Sequence, residues 1–347
     1  MRIKTWVVIL GGLILLGCNS NERRIFSPTW ETQDSGTSAS LRGLSVVSGE
    51  VAWASGQFGT ILRTVDGGQT WEKKRIPNTD SVDFRDIEAF SDQTAYVLSA
   101  GSPAYIFRTE DGGSNWVKQL EDTLPNIFMD GMAFWNEQRG IVMGDPINEK
   151  FTLLSTADGG QRWMPVKLPA RSARPHAGEG GFAASGTNIV TQGSNCVWFG
   201  TGGADARIFR SLDGGKTWEV NRSPLARGTP SKGIFSMAFV DTLRGVAVGG
   251  DYQNPNSNLK NSAYTANGGR TWYSAITSPQ GYRSGVAYLP DANAYVAVGT
   301  TGSDYSIDMG ATWIFLDAVG YHSIQAAPNS SVAWVCGGDG KIARLTW

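Results

Sequence analysis

Short apolar segments separated by glycine-containing turns recur along the chain from residue 25 onward. Residues 51–54 precede residues 61–63, and residues 197–200 precede residues 208–210, with a loop that contains glycine inside each pair. The alternation of apolar and polar residues in Ile87-Glu88-Ala89 is typical of a β-strand. No segment of the sequence has the periodicity of a helix, so the pattern predicts an all-β domain.

An eight-residue motif, here called the Asp box, occurs six times. The first copy, residues 64–71, reads Thr-Val-Asp-Gly-Gly-Gln-Thr-Trp, and the others occupy residues 109–116, 156–163, 211–218, 265–272 and 306–313. An Asp carboxylate can accept hydrogen bonds from the backbone N–H groups that follow it, Gly supplies the positive φ of a tight turn, and Trp is an apolar anchor. Asn267 keeps the acceptor oxygen but not the charge, which argues against a metal ligand or an acid catalyst. We therefore predict structural hairpin turns, with the key residues Asp66, Asp111, Asp158, Asp213, Asn267, Asp308, Trp71, Trp116, Trp163, Trp218, Trp272 and Trp313.

The spacing of these tryptophans gives the number of units. Successive box tryptophans lie 41 to 55 residues apart, which suits a four-stranded propeller blade of about 40–50 residues. Trp30 lies 41 residues before Trp71 and occupies the same phase without the turn. We predict an all-β, seven-bladed β-propeller of four-stranded antiparallel blades over residues 25–347. The last blade lacks an outermost strand, and residues 25–32 are predicted to supply it.

A second repeat marks the innermost strand of each blade. Its middle residue is usually small, as a crowded strand beside the central channel requires. The seven copies are Arg42-Gly43-Leu44, Arg85-Asp86-Ile87, Asp130-Gly131-Met132, Gly180-Gly181-Phe182, Phe235-Ser236-Met237, Ser284-Gly285-Val286 and His322-Ser323-Ile324.

The N-terminus has the build of an export signal. Arg2 and Lys4 precede an apolar run over residues 6–16, which is too short to span a bilayer. Leu15-Leu16-Gly17-Cys18 resembles the bacterial lipobox, which implies a signal peptide at residues 1–17, lipidation of Cys18 and a tether at residues 18–24. We expect an exported protein held in the bacterial envelope by its lipid anchor alone, facing the periplasm or the surface. The alternative is an ordinary signal peptide with an incidental cysteine.

Charge and cysteine content limit the possible partners. The 30 basic and 31 acidic residues nearly cancel, which gives no reason to expect nucleic acid as a partner. Cys196 and Cys336 fall in the fourth and seventh units, so we expect no disulfide, and no zinc-type spacing predicts a metal site. We expect no cofactor, because no dinucleotide-binding glycine motif and no haem-attachment motif is present.

Strand direction locates the expected site. The loops before the innermost strands and those between the second and third strands share one face, here called the mouth face, and the Asp boxes lie on the other. The channel mouth is therefore the default pocket. Candidate catalytic carboxylates there are Asp130, Asp145, Glu179, Asp251 and Asp304, and candidate binding residues are Arg42, Arg85, His176, Asp205, Tyr252, Arg283, Ser303 and His322.

Two long loops accompany these residues. Residues 164–178 are expected to overhang the mouth face, whereas residues 221–232, with Arg222, Arg227 and Lys232, are expected to form a solvated surface loop. A polar channel can also simply hold water or ion-pair networks, so polarity by itself leaves a specific site open.

The six boxes resemble those of the Asp-box, or bacterial neuraminidase repeat, propellers. Seven blades with the Asp-Gly-Gly-x-Thr-Trp form of the box look most like the photosystem II stability/assembly factor-like proteins. Residues 178–187 and 249–252 look like an exported bacterial branch often labelled oxidoreductase or glycosyl hydrolase. Arg75-Ile76-Pro77 matches the short Arg-Ile-Pro motif of sialidases, but it follows the first box, whereas that family places it ahead of the boxes.

We expect a lipid-anchored envelope propeller that acts as a protein-binding platform and helps to assemble or stabilise an envelope complex. The first alternative is a glycoside hydrolase with carboxylates at the channel mouth, which would bind a glycan. The second alternative is a redox protein, as the labels of the exported branch suggest. We expect a platform without enzymatic activity.

Overall fold

The computed structural model describes residues 28–169, 171–328 and 330–347, which form seven antiparallel sheets. The predicted signal peptide, Cys18 and the tether lie outside the described residues. In chain order the strands are β1 (Thr29–Gln33), β2 (Leu41–Val46), β3 (Ala52–Gly56), β4 (Ile61–Thr64), β5 (Glu72–Lys74), β6 (Phe84–Ala89), β7 (Ala95–Ser99), β8 (Ala104–Thr109), β9 (Val117–Asp122), β10 (Met129–Asn136), β11 (Arg139–Ile147), β12 (Lys150–Thr156), β13 (Met164–Pro165), β14 (Glu179–Gly180), β15 (Ile189–Gln192), β16 (Cys196–Gly200), β17 (Gly202–Gly203), β18 (Arg207–Ser211), β19 (Glu219–Arg222), β20 (Lys232–Phe239), β21 (Gly245–Asp251), β22 (Ser262–Thr265), β23 (Tyr273–Ser274), β24 (Gly285–Leu289), β25 (Ala294–Gly299), β26 (Gly302–Ser306), β27 (Ile314–Asp317), β28 (Ser323–Ala326), β29 (Val332–Cys336) and β30 (Ile342–Thr346).

These strands build seven blades. The first three blades are β2–β5, β6–β9 and β10–β13, and the fourth consists of β15, β16, β18 and β19. The fifth and sixth are β20–β23 and β24–β27, and the seventh has the order β28, β29, β30, β1. The predicted all-β, seven-bladed propeller of four-stranded antiparallel blades is confirmed.

The first strand of the chain closes the last blade, as predicted. β1 pairs antiparallel with β30 from Thr29 opposite Thr346 to Gln33 opposite Ile342. The described part of this strand covers residues 29–33, where the sequence predicted 25–32. Closure of this kind joins the two ends of the domain and leaves no unpaired edge inside the ring.

Each Asp box forms the turn between the third and fourth strands of its blade. In the first box the Asp66 carboxylate accepts hydrogen bonds from the backbone N–H of Thr70 (2.9 Å) and from its hydroxyl (2.6 Å). The Thr70 hydroxyl and backbone hydrogen bonds lower the pKa of Asp66 to about 2. Asn267 accepts the matching N–H of Thr271 at 3.0 Å. The same turn therefore forms with an acid or an amide.

Large aromatic side chains on the second strands join neighbouring blades. Trp53, Trp198 and Trp334 are fully buried. The Trp53 indole N–H donates to the carbonyl of Ser91 in the next blade at 3.0 Å, and that of Trp198 donates to the carbonyl of Gly268 at 2.8 Å. Burial and hydrogen bonding of the same ring hold adjacent blades in register.

The fourth blade departs from the predicted repeat. Gly180-Gly181-Phe182 does not open its innermost strand, which is β15, beginning at Ile189. Instead β14 pairs with β17, and β17 pairs with β20 of the fifth blade. The glycines permit this path, because a Cβ on Gly181 would lie 2.2 Å from a carboxylate oxygen of Asp130. The chain between the third and fourth blades thus crosses the mouth before it enters the blade.

The described residues contain one short 3-10 helix, Gly338–Gly340, and within them no helix is long and apolar enough to cross a membrane. Cys196 and Cys336 lie in the fourth and seventh blades as predicted, and both are free thiols.

Candidate functional site

A cavity of about 370 Å³ opens at the channel mouth, where the innermost strands begin. We call it the mouth cavity. Its lining residues are Arg42, Arg85, Phe128, Gly181, Phe182, Ala183, Ala184, Phe235, Tyr252, Tyr282, Ser284, Thr300 and His322. The structure therefore brings together four predicted binding residues from blades one, two, five and seven: Arg42, Arg85, Tyr252 and His322.

Arg42 is a positively charged residue of the mouth cavity whose side chain has no hydrogen-bond acceptor. Its side chain is part-buried and donates no hydrogen bond to any residue in the described ranges; the Nε atom is fully buried. Burial lowers the pKa of Arg42, and the positive charge of Arg85 lowers it further. An arginine in this setting is still charged at neutral pH, because its ordinary pKa lies far above 7.

Arg85, by contrast, is already paired. Its Nε donates to the Asp83 carboxylate at 2.8 Å, and its Nη1 donates to the Ala183 carbonyl at 3.3 Å. The guanidinium carbon also lies 5.8 Å from the ring centre of Phe128. Asp83 is therefore bonded to Arg85, and it acts on Arg42 only through a longer-range attraction, without a hydrogen bond or an ion pair.

His322 adds no charge at neutral pH. Burial, followed by the nearby charge of Arg42, lowers the pKa of His322 to about 4. Its Nδ1 lies 3.1 Å from the carbonyl oxygen of Leu41, which assigns the proton to Nδ1. The predicted binding residue is thus a neutral imidazole whose orientation is fixed by the first blade.

Aromatic rings form one wall of the mouth cavity. Phe182 and Phe235 stack with ring centres 3.8 Å apart and planes 13° from parallel. Tyr252 meets both rings edge-on, and its side chain is 46% exposed. Tyr282 packs edge-on against Phe235 at 4.8 Å. Tyr252 was predicted here from the sequence, whereas the phenylalanine stack was not.

In five of the seven repeated triplets, the first residue lines the mouth cavity. Arg42, Arg85, Phe235, Ser284 and His322 all hold that position and all line it. This position is therefore the signal that could have found Phe235 and Ser284. Arg283 was predicted instead of Ser284, and a shift of one residue turns a strand side chain to the opposite face.

Arg283, Ser303 and Asp304 are accordingly not mouth residues, which corrects the prediction. All three are buried, at no more than 1% exposure. Arg283 binds Asp304 through Nε at 2.6 Å and Nη2 at 2.5 Å. Burial raises the pKa of Asp304, and the charge of Arg283 opposes this. The pair is an internal ion pair between the segment just before β24 and the middle of β26.

Asp130 and Asp145 lie beneath residues 179–184, the part of the chain that crosses the mouth and that we call the crossing segment. Asp130 is fully buried, and neither of its carboxyl oxygens has a hydrogen-bond partner among the described residues. Burial raises the pKa of Asp130 well above its usual range, and the negative charge of Asp145 is the second cause of this rise. Asp145 accepts the Gly181 N–H at 2.9 Å, and burial raises its pKa as well. Asp130 is therefore closed off from the mouth, contrary to the prediction.

Glu179 is held by a partner that the sequence analysis did not identify. Arg207 donates to its two carboxylate oxygens at 2.8 Å and 2.7 Å, and the Thr201 hydroxyl donates at 2.6 Å. Glu179 and Arg207 are both about 5% exposed. This bidentate pair anchors the crossing segment on the fourth blade and leaves no free carboxylate for catalysis at Glu179.

The two long loops meet around Asp205 rather than at the mouth cavity. The buried Asp205 carboxylate lies 3.3 Å from His176 Nδ1, 3.4 Å from Arg227 Nε and 3.6 Å from Arg222 Nε. The loop predicted to be merely solvated thus shares an ion cluster with the loop that carries His176. A second cavity, of about 700 Å³, is lined by His176, Asp145 and Glu179 among others, and it shares Gly181 and Phe182 with the mouth cavity.

Asp251 ends β21 at the mouth face, where its carboxylate lies 3.9 Å from Lys232 Nζ. None of the five candidate carboxylates lines the mouth cavity as the structure describes it. Glycoside hydrolysis needs two carboxyl groups on either side of one bond, and the candidates are not gathered in that way at the mouth. Within the described residues, no group of three or more His, Cys, Asp or Glu side chains could hold a metal ion.

Comparison with known proteins agrees with the predicted resemblance. Residues 23–129, less than a third of the chain, match the family model described as Photosynthesis system II assembly factor YCF48. Over these residues the chain is similar to that family. No curated protein matches the sequence.

Solved structures give the same fold. The structure described as YCF48 bound to D1 peptide is 17% identical, with a TM-score of 0.63, and the match covers 92% of this chain and 97% of that one. YCF48 from Cyanidioschyzon merolae is 19% identical, with a TM-score of 0.63 over 91% and 98% of the two chains. An ancestral GH74 enzyme matches at 12% identity and a TM-score of 0.64, over 90% of this chain and 46% of the enzyme. At these identities the likeness shows the fold alone.

Proposed function

We propose that this protein is a lipid-anchored propeller of the bacterial envelope that binds a protein partner through its mouth face and supports the assembly or stability of an envelope complex. One observation carries the proposal. The mouth cavity combines the unpaired guanidinium of Arg42 with an aromatic wall that reaches solvent at Tyr252.

This combination of side chains suits protein recognition. Arginine and tyrosine are enriched among the residues that contribute most to binding energy at protein interfaces. A propeller supplies them on a rigid scaffold, because Arg42 lies in β2, Tyr252 directly follows β21, and both strands are paired in their sheets. One similar solved structure is described as YCF48 bound to D1 peptide, and this similarity supports a polypeptide as the partner.

The membrane attachment in the proposal rests on the sequence Leu15-Leu16-Gly17-Cys18. A lipid on Cys18 would hold the propeller at the membrane through the tether at residues 18–24. Membrane fractionation of the wild type and of Cys18→Ser tests this part. We expect the wild type in the membrane fraction and the variant in the soluble exported fraction; equal distribution would contradict the anchor.

Crosslinking capture from native envelope extract tests the binding role. The bait is the full chain, compared with Arg42→Gln, Tyr252→Ala and the control Arg270→Gln, which changes an exposed arginine in an Asp box on the opposite face. We expect a discrete protein that the wild type and Arg270→Gln capture and that both mouth variants lose. Capture that is unaffected by the mouth variants, or no specific protein in any sample, would overturn the proposal.

A further inference from the structure

We infer that the mouth cavity is a binding site for a single carboxylate joined to an aromatic or branched apolar group, with the carboxylate on Arg42 and the apolar group against the Phe182–Phe235 stack. This inference deepens the proposed function, because it names the chemistry that the same mouth would recognise. It depends on side chains of the mouth cavity and not on the lipid anchor.

The charges that line the cavity favour a ligand with one negative charge. Arg85 is balanced by Asp83, and His322 is neutral at physiological pH. Arg42 makes no hydrogen bond and no ion pair within the described ranges, and its buried Nε has no acceptor; the Asp83 carboxylate attracts it only from a longer distance, because that carboxylate is bonded to Arg85. A part-buried guanidinium without a partner is unfavourable, and an incoming anion would relieve that cost.

The donor geometry favours a carboxylate over a phosphate. A guanidinium presents its N–H groups in a planar fork that matches the two oxygens of a carboxylate. A phosphate dianion would need a second uncommitted cation, but the Nε and Nη1 of Arg85 already bond to Asp83 and Ala183. The single free fork therefore suits a monoanion.

The wall of the cavity selects the rest of the ligand. Phe182 is part-buried and stacks on Phe235, while Tyr252 and Tyr282 complete the aromatic cluster. Rings that are stacked in this way present apolar surface to the cavity, and an aromatic or branched group bound there would be removed from water. The volume of about 370 Å³ lies at the small end of ligand pockets, which suits a ligand the size of one amino-acid residue.

Such a ligand could be a free small molecule or the end of a polypeptide, because both present a carboxylate beside a side chain. Isothermal titration calorimetry of the detergent-solubilised full chain first tests which chemical groups of a ligand the cavity binds. The probes are 3-phenylpropionate, its uncharged analogue 3-phenylpropionamide, acetate and phenyl phosphate. We expect 3-phenylpropionate to bind at least roughly tenfold more tightly than the amide, acetate or phenyl phosphate.

Variants then test the residues. Arg42→Gln should weaken the binding of 3-phenylpropionate by roughly 10- to 100-fold, whereas Arg42→Lys should retain part of it. Phe182→Ala should weaken 3-phenylpropionate but leave acetate unchanged. Arg270→Gln is the control that keeps wild-type affinity, and thermal unfolding shows that each variant is folded. Equal affinity for acid and amide, an unaffected Arg42→Gln, or no binding by the folded wild type would each overturn the inference.

To distinguish a polypeptide end from a small molecule, we compare the binding of the peptide acetyl-Gly-Gly-Phe as a free acid and as a C-terminal amide. Tighter binding of the free-acid peptide than of 3-phenylpropionate would identify a polypeptide end, and equal or weaker binding a small molecule. The proposed function can survive the failure of this inference. A captured protein that is lost in Arg42→Gln, together with no binding of any carboxylate, would leave the platform standing and remove only the carboxylate site.

Discussion

Trp71 donates its indole N–H to the side-chain oxygen of Gln33 across 3.1 Å, so the first Asp box is bonded to the strand that closes the seventh blade. The same Gln33 oxygen accepts the indole N–H of Trp334, also at 3.1 Å, and its amide nitrogen donates to the carbonyl of Gly67. One amide therefore ties blade one to both β1 and β29. It lies where the first blade meets the seventh, beside the apolar cluster that packs Leu44 and Trp71 with Trp334.

Replacing Gln33 should weaken this closure. Gln33→Leu removes the acceptor of two indole N–H groups and the donor to Gly67, and a buried polar group left without a partner costs about 1–3 kcal/mol. We expect the free energy of unfolding to fall by at least about 2 kcal/mol in denaturant titrations. Thr32→Ala, an exposed change on the same strand, is the control and should be near neutral. Equal stability of the two variants would show that Gln33 does not contribute to closure.

The box tryptophans should differ in energetic weight according to their burial. Trp218 is 6% exposed, packs 5.4 Å from the ring centre of Phe199 and donates its N–H to Gly215. Trp218→Ala should lower the free energy of unfolding by about 3–5 kcal/mol, because it leaves a cavity in the blade. Trp116 is only part-buried, so Trp116→Ala should cost less. A loss below about 1 kcal/mol for Trp218→Ala would contradict the anchoring role.

The fold could be predicted from the sequence because its determinants are local and repeated. Each Asp box holds its own turn through hydrogen bonds within a few residues, as those between Asp66 and Thr70 show. The spacing of the boxes then fixes the number of blades. The start of the fourth blade could not be predicted in the same way. Glycines at 180 and 181 fit the local pattern, but the chain there follows contacts with Asp145 and Asp130, which are distant in sequence.

The site was predicted only in part, for a related reason. Arg42, Arg85 and His322 were found because the triplet repeat places them at the mouth. Arg283 and Asp304 have the charges of surface residues in the sequence, yet they neutralise each other inside the fold. Ion pairs between residues on separate strands decide which charged side chains remain available for a ligand. A single sequence does not show which residues form these ion pairs.

The buried ion pair of Arg283 and Asp304 should behave as a unit. Arg283→Met would leave the Asp304 carboxyl without its partner, and breaking one side of a buried pair costs about 3–5 kcal/mol. Arg283→Met/Asp304→Leu removes both charges and should recover part of that loss. Unfolding in denaturant of the two single variants and the double variant gives the coupling energy. Additive losses would show that the two side chains do not stabilise each other.

The acidic residues of β6 should make stability depend on pH. Glu88 follows Asp86 by two residues, so both side chains lie on the same side of the strand. Burial raises the pKa of Asp86 to about 7, and burial together with the charge of Asp86 raises the pKa of Glu88 well above its ordinary value. In the unfolded chain both groups ionise near pH 4. The folded state therefore holds more protons than the unfolded state from about pH 4 upward, and stability falls as the pH rises toward 7.

Glu88→Gln should reduce this dependence, because an amide does not ionise and Asp86 then lacks a neighbouring acid. We expect the variant to melt at a higher temperature than the wild type at pH 8 and at nearly the same temperature at pH 4. Glu137→Gln, an exposed change, serves as the control and should follow the wild type. The aspartates of the Asp boxes lose their charge only at lower pH, as the pKa of about 2 for Asp66 indicates. They are present in the wild type and in both variants, so they do not account for a difference between them. If the melting temperatures of Glu88→Gln and of the wild type change in parallel from pH 4 to 8, the raised pKa of Glu88 is refuted.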